Sequence, residues 1–132
     1  MAAQDSKITY LYRILRPHDK PERGLYPTNR SADISIDDHI NRGGYKGKFV
    51  SQYISTSREP KVLLQWLYRE GLQRSHDPTL AIIDCRRLHD IVNRDDVSGG
   101  HPDLSDDSYI WATKHKEVLV HPYINKGAII GY

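Results

Sequence analysis

The sequence predicts an α+β fold whose strands gather into a pair of mostly antiparallel sheets. Two observations carry this expectation. Several short runs of β-branched and aromatic residues are bounded by Pro, Gly and polar turns, while a single long amphipathic run lies in the first half of the chain. Strands and helices also fail to alternate regularly, as a parallel sheet with its crossover helices would require. No internal repeat or low-complexity tract interrupts the 132 residues, which predicts one domain over 1–132.

Each element has its own justification. ITYLYRIL (8–15) is rich in strand formers and stops at Arg16-Pro17. A period of two puts Thr9, Leu11, Arg13 and Leu15 on one face, with Tyr10, Tyr12 and Ile14 on the other. RPHDKPERGLYPTNRS carries Pro and Gly punctuation and reads as loop. SIDDHINRGG fits one or two helical turns, with Ser35 as N-cap and Gly43 just past the end. KFVSQYIS is a second strand. The main helix follows, with Ser57 as N-cap, Pro60 in the first turn, an apolar stripe of Val62, Leu63, Trp66 and Leu67, and Gly71 closing it. TLAIIDC (79–85) has apolar residues on both faces, as a central strand does. RRLHDIVNRDDVSGGHPDLSDD is polar and acidic and predicts a short helix or turn, then a mobile loop. SYIWATKHKEVLVHPY passes from a helical turn into a strand, and GAIIGY makes the last one.

Composition bounds the function. With 19 basic and 17 acidic residues the net charge is +2, too balanced to mark a nucleic-acid footprint and too mild to exclude one. Nine tyrosines against one phenylalanine suit half-wet clefts, because Tyr joins apolar area to a hydroxyl. The single cysteine, Cys85, excludes an internal disulfide and any Cys-based zinc site, and its apolar run predicts a buried, inert thiol. No apolar stretch approaches the roughly 20 residues that span a bilayer. The N-terminus MAAQDSKITY lacks a signal-peptide layout. The expectation is a cytoplasmic protein with no membrane partner, or a secreted effector, or a domain of a larger chain.

Three places break the rule that strand interiors are apolar: Arg13, the Ser55–Ser57 cluster and Glu117. Singly each has a plain explanation. Arg13 fits an edge strand, Ser57 a helix cap, and Glu117 the solvent face of an alternating strand. Together, the matching stretches are LYR (11–13), HI (39–40), SQYISTS (51–57) and EVLVHPYINKGAIIGY (117–132). In these the chain resembles the mono-ADP-ribosyltransferases of the Arg-Ser-Glu type, the clade that includes cholera toxin and the pierisins. The aromatic-Ile-Ser-Thr-Ser element is the most specific part. The resemblance implies an ADP-ribosyltransferase-like split β-sandwich of two mostly antiparallel sheets, one main helix and short helices, with NAD bound as a substrate in the cleft between them.

The same resemblance implies roles. Arg13 would contact the dinucleotide phosphates and shape the nicotinamide pocket. Ser55 would orient the catalytic Glu117 and touch the nicotinamide ribose, with Thr56 and Ser57 bracing the cleft. His39 would contact the adenine end, and Tyr53, next to the Ser-Thr-Ser element, joins the cofactor-binding set. Family members usually carry Glu or Gln two residues before the catalytic glutamate, and the choice tracks the acceptor. Here that position is His115, which a strand period would place on the face of Glu117 as a candidate base. The segment before it, where relatives carry an acceptor-recognition loop, holds Tyr109 and Trp111. Either would stack on a guanidinium or a nucleobase; core packing explains Trp111 equally well.

The chemistry needs these groups. Cleaving the nicotinamide–ribose bond leaves an oxocarbenium-like sugar, as in glycoside hydrolysis. A preorganised carboxylate beside it in a dry cleft is worth about 3 kcal/mol, roughly two decades in rate. An arginine fork matches pyrophosphate oxygens better than a lysine does. Nicotinamide leaves already charged, so no general acid is needed.

Other readings weigh less. Seven histidines are scattered, and only His115 and His121 share one predicted strand, so no metal is expected. A ribonuclease-like set of His121, Glu117 and Arg13 leaves the Ser-Thr-Ser element unused. Arg42, Tyr45, Lys46 and Lys48 fit a solvated loop better than a phosphate track, and GGYKGK lacks P-loop spacing. Two function classes fit the sequence. One is an NAD-consuming enzyme, a transferase acting on a macromolecule (DNA or RNA base slightly ahead of protein side chain) or a glycohydrolase using water. The other is a non-catalytic nucleotide- or protein-binding domain that kept the fold.

Overall fold

The computed structural model describes residues 8–17, 19–43, 51–70 and 79–132. Its strands are β1 (Tyr10–Ile14), β2 (Ile54–Ser57), β3 (Leu80–Asp84), β4 (Asn93–Asp96), β5 (Glu117–His121) and β6 (Ile129–Gly131). Its α-helices are α1 (Ile36–Gly43), α2 (Pro60–Glu70) and α3 (Asp106–Lys114). The fold is α+β, but the expected pair of sheets is one six-stranded sheet in the order β4-β5-β2-β1-β3-β6, every neighbouring pair antiparallel.

That sheet has a narrow seam. β1 pairs with β3 at five positions and β2 with β5 at four, whereas β1 and β2 pair only at Tyr12↔Ser57. The residue after Tyr12 explains why. The side chain of Arg13 is buried at the junction, and its Nη1 donates to the Ser55 carbonyl at 2.9 Å. A β1 side chain therefore serves that carbonyl.

The larger core covers one face of the sheet, from Leu11, Ala81 and Ile83 across to Ile54, Val118 and Val120. A smaller core of Ile40, Val97, Ala112 and Leu119 lies beneath α1 and α3. β5 supplies both cores from alternate residues, which is why EVLV reads as a continuous buried run. Cys85 is buried, as expected, and burial pushes its thiol up.

Three local expectations need correction. KFVSQYIS is strand only from Ile54, and the strand runs on to Ser57; residues 48–50 lie outside the described set. Ser51 is tied instead to Thr28, whose Oγ1 accepts from Ser51 N–H at 2.8 Å and donates to its carbonyl at 3.1 Å. Ser57 is not the N-cap of α2. Glu59 directly precedes Pro60, and its carbonyl accepts from Val62 N–H at 3.2 Å, while Ser57 Oγ donates to the His115 carbonyl at 2.8 Å. Finally, NRDD forms an edge strand, β4, where loop was expected. Its pairing with β5 and the buried Val92 and Val97 on either side hold a polar stretch in the sheet. Gly71, His18, His76, Tyr45, Lys46 and Lys48 lie outside the described residues. Among those described, no helix is long and apolar enough to cross a membrane.

Candidate active site

The site forms where β2 meets α1 on one side and β5 on the other. α1 starts at Ser35, whose Oγ accepts from Asp38 N–H at 3.1 Å, as the sequence predicts. Ile36 and Ile40, one turn apart, pack toward the smaller core. His39 faces β2. Its Nδ1 lies 2.8 Å from Ser51 Oγ and its Nε2 2.8 Å from Ser55 Oγ. Tyr53 sets its ring edgewise between His39, at 5.5 Å, and His121, at 5.2 Å.

Register brings in the glutamate. Ser57 is paired with Glu117 and Ser55 with Leu119, so Ser55 and Glu117 are diagonal neighbours on one face. From there the Ser55 hydroxyl opposes the rise of the Glu117 carboxyl. Thr56 points to the other face and donates to the Val118 carbonyl at 2.7 Å. Arg13, Ser55, His39 and Glu117 thus meet around one serine. Arg13 reaches it through the main chain, His39 reaches its hydroxyl, and Glu117 lies diagonally beside it on the same face.

Burial sets the electrostatics. Glu117 is 7% exposed, and desolvation pushes its carboxyl up to about 7 against the opposing hydrogen bond from Ser55. Desolvation, then the charges of Arg13 and Arg16, press His39 down to about 4, so it is neutral at pH 7. Arg13 is held down to about 10, chiefly by burial, and stays charged; Asp19 Oδ2 lies 3.3 Å from its Nη2. A buried carboxyl poised near neutrality beside a neutral imidazole and a hydroxyl marks a candidate functional site.

His115 differs from its expected place. It is the C-cap of α3, and Lys116 at φ 51 breaks the strand phase before Glu117. Its ring stacks on Trp111 at 4.1 Å, and its Nδ1 donates to the Trp111 carbonyl at 3.0 Å. Tyr109 and Trp111 are exposed on α3, so core packing does not account for Trp111.

A cavity of about 400 Å³ adjoins the site, lined among others by Asp19, Lys20, Arg23, Gly24, Tyr26 and Thr28. It touches the site through two of these, since Asp19 holds Arg13 and Thr28 holds Ser51. Gly24 has φ +95, and a Cβ there would sit 2.7 Å from the Ile124 carbonyl oxygen, so this wall requires glycine. The sequence reading assigned no role to Asp19, Thr28 or Ser51. Ser51 alone left a signal, four residues before Ser55 in the same motif. Among the described residues no group of three or more His, Cys, Asp or Glu side chains is placed to hold a metal ion.

No curated protein and no solved structure matches the chain. The profile of a domain of unknown function, DUF7587, matches residues 10–132, and the chain belongs to that family.

Proposed function

We propose that this protein is an NAD-dependent mono-ADP-ribosyltransferase that moves ADP-ribose to a macromolecular acceptor, a nucleic-acid base ahead of a protein side chain. One observation carries the reading: the arginine, serine and glutamate of the motif, from three distant segments, meet at Ser55, with His39 as a fourth member. In this reading ionised Glu117 faces the ribose, stabilises the oxocarbenium-like transition state and accepts from a ribose hydroxyl. The glycosidic C–N bond breaks with its electron pair leaving on nicotinamide. The acceptor's lone pair closes on the anomeric carbon, and the acceptor's proton passes to solvent.

The ADP portion belongs in the adjoining cavity, where Lys20 and Arg23 supply cations and Tyr26 a ring face. Arg13 then acts by shaping the pocket, since Ser55 and Asp19 already occupy its two terminal nitrogens. His115 positions Trp111, which with Tyr109 offers exposed aromatic surface to an acceptor base.

The test is nicotinamide release from labelled NAD, alone and with separate DNA, RNA and protein pools. Wild type should release nicotinamide and label a pool, and Glu117→Gln should be slower by about 100-fold or more. Release without labelling makes the protein a glycohydrolase. Equal rates in the two proteins, or none with any pool, defeat the proposal in favour of a binding domain.

A further inference from the structure

We infer that the loops beside the cavity form a docking surface for single-stranded nucleic acid: the Arg30 guanidinium, backed by the Tyr123 ring, stacks on an unpaired base, and Arg87 and Lys126 take phosphates. Such a strand would be the acceptor of the proposed transferase, a role that rests on that reading; the binding itself does not.

Three segments meet here, and hydrogen bonds to main chain fix them. Leu25 and Ile124 exchange N–H···O bonds of 2.8 Å in both directions. The Asn125 side chain accepts from His89 N–H at 2.9 Å and donates to the Arg87 carbonyl at 3.0 Å. The rings stand on that frame. Tyr123 has the Tyr26 ring at 6.3 Å and the His89 ring edgewise at 5.7 Å, with His89 Nδ1 2.9 Å from its hydroxyl. Arg30 Cζ lies over the Tyr123 ring, 6.0 Å from its centroid. Tyr26, His89, Arg30, Arg87 and Lys126 are all exposed.

Charge gathers at the same place. Residues 20–30, 85–90 and 122–126 hold six basic residues against two acidic ones. Asp84, paired with Arg86 and Arg87, adds a third acid. The remaining excess of three is larger than the +2 of the whole chain, so the rest of the molecule carries no positive surplus. Charge alone would suit any polyanion, and the rings narrow the choice. A guanidinium offers a flat face to a nucleobase, and a ring behind it holds it by cation–π attraction. Bases present such faces when they are unpaired, not when they are stacked inside a duplex. An unpaired base is also the one whose reacting atoms an enzyme can reach. Tyr26 belongs both to this surface and to the cavity assigned to the ADP portion, so the two sites share a wall. The surface holds the strand, and a different nucleotide reacts.

Fluorescence anisotropy of the full chain, without NAD, with a labelled strand of about 12 nucleotides tests this. Wild type should bind the strand more tightly than a duplex of the same sequence. Its affinity should fall about twentyfold from about 50 to about 200 mM salt, as three cations on a single strand require. Arg30→Lys keeps the charge at an exposed position and removes the flat face. It should weaken binding about tenfold, one lost stack, with the salt dependence unchanged. Lys126→Ala should instead cut the salt dependence to about sevenfold. Absence of binding, equal affinity for the duplex, or an Arg30→Lys variant that binds like wild type overturns the inference. Wild type that binds the strand yet leaves NAD intact defeats the enzyme reading and leaves this surface standing. Labelling of a strand for which wild type has no measurable affinity does the opposite.

Discussion

The two flanks of the seam are built differently. β1, β3 and β6 hold together through main-chain pairing and buried apolar side chains: Leu11, Ala81 and Ile83 are fully buried. β2, β5 and β4 have ladders of similar extent, plus side chains that cross between segments. Thr56 donates to the Val118 carbonyl, Ser57 to the His115 carbonyl, and Arg58 pairs with Asp96 at 3.1 Å. The first flank contributes one buried charge at the junction, Arg13, and it leans across to the second. The difference teaches how to sort polar residues in apolar strands. Those bonded to main chain, Thr56 and Ser57, brace the sheet, while Ser55, bonded to the His39 side chain, and Glu117 beside it form the candidate site.

The seam's dependence on Arg13 is the first thing to break. Arg13→Met removes the donor to the Ser55 carbonyl and the nearer of two guanidinium partners of Asp19, which keeps the Arg16 main-chain N–H at 2.7 Å and its guanidinium at 4.0 Å. The expected loss is about 3 kcal/mol by urea titration, the cost of removing a buried charged donor that serves two acceptors. Adding Asp19→Asn should recover part of it. Arg13→Lys should lose about 2 kcal/mol, because one ammonium cannot span both partners. A loss under about 1 kcal/mol for Arg13→Met would show that Tyr12↔Ser57 alone holds the flanks together.

A second comparison sets Glu117 against His39, whose titrations pull stability in opposite directions. The folded carboxyl of Glu117 is raised from 4.5 to about 7. Its contribution is therefore complete below pH 4.5 and lost as pH rises through about 7. The folded imidazole of His39 is lowered from 6.5 to about 4, so its contribution is complete above pH 6.5 and lost as pH falls toward 4. Each amounts to roughly 3 kcal/mol, and between pH 4.5 and 6.5 they nearly cancel. Single variants should expose the hidden slopes. Glu117→Gln should lose stability on acidification from pH 6.5 to 4, and His39→Gln should gain it from pH 7 to 4.5. Parallel profiles for the two variants would mean that neither group is desolvated as the structure has it. In the proposed enzyme, kcat/KM should rise through pH about 7 as free Glu117 ionises.

The flanks also differ in how well the sequence announces them. β1, β3, β5 and β6 were legible because each concentrates apolar or β-branched residues within its own few positions. β4 was not: NRDD has no apolar period, and only its pairing partner and the flanking Val92 and Val97 make it a strand. The same division runs through the site. Arg13, Ser55 and Glu117 stood out as polar intrusions into apolar runs. Asp19 and Thr28 sit in a Pro- and Gly-rich loop where polar residues are ordinary, and nothing local marks them. A period of two carried back from Glu117 puts His115 on the wrong face, because the positive φ of Lys116 resets the phase. The expected two sheets are one, and a single buried guanidinium at the β1–β2 seam is not something periodicity encodes.

The smallest effect separates brace from site most cleanly. Thr56→Val keeps shape and volume while deleting the 2.7 Å bond to the Val118 carbonyl, which faces the larger core. One net hydrogen bond is worth about 1 kcal/mol, and a calorimetric or urea midpoint should register that loss. Nicotinamide release should stay within about twofold, because Thr56 lies on the face opposite Ser55 and Glu117. Ser55→Ala should show the reverse: a modest change in stability, with release lowered as the Glu117 carboxyl loses its donor and titrates higher. If Thr56→Val slows release as much as Ser55→Ala does, position on the strand does not divide the two roles, and the brace is itself part of the reacting geometry.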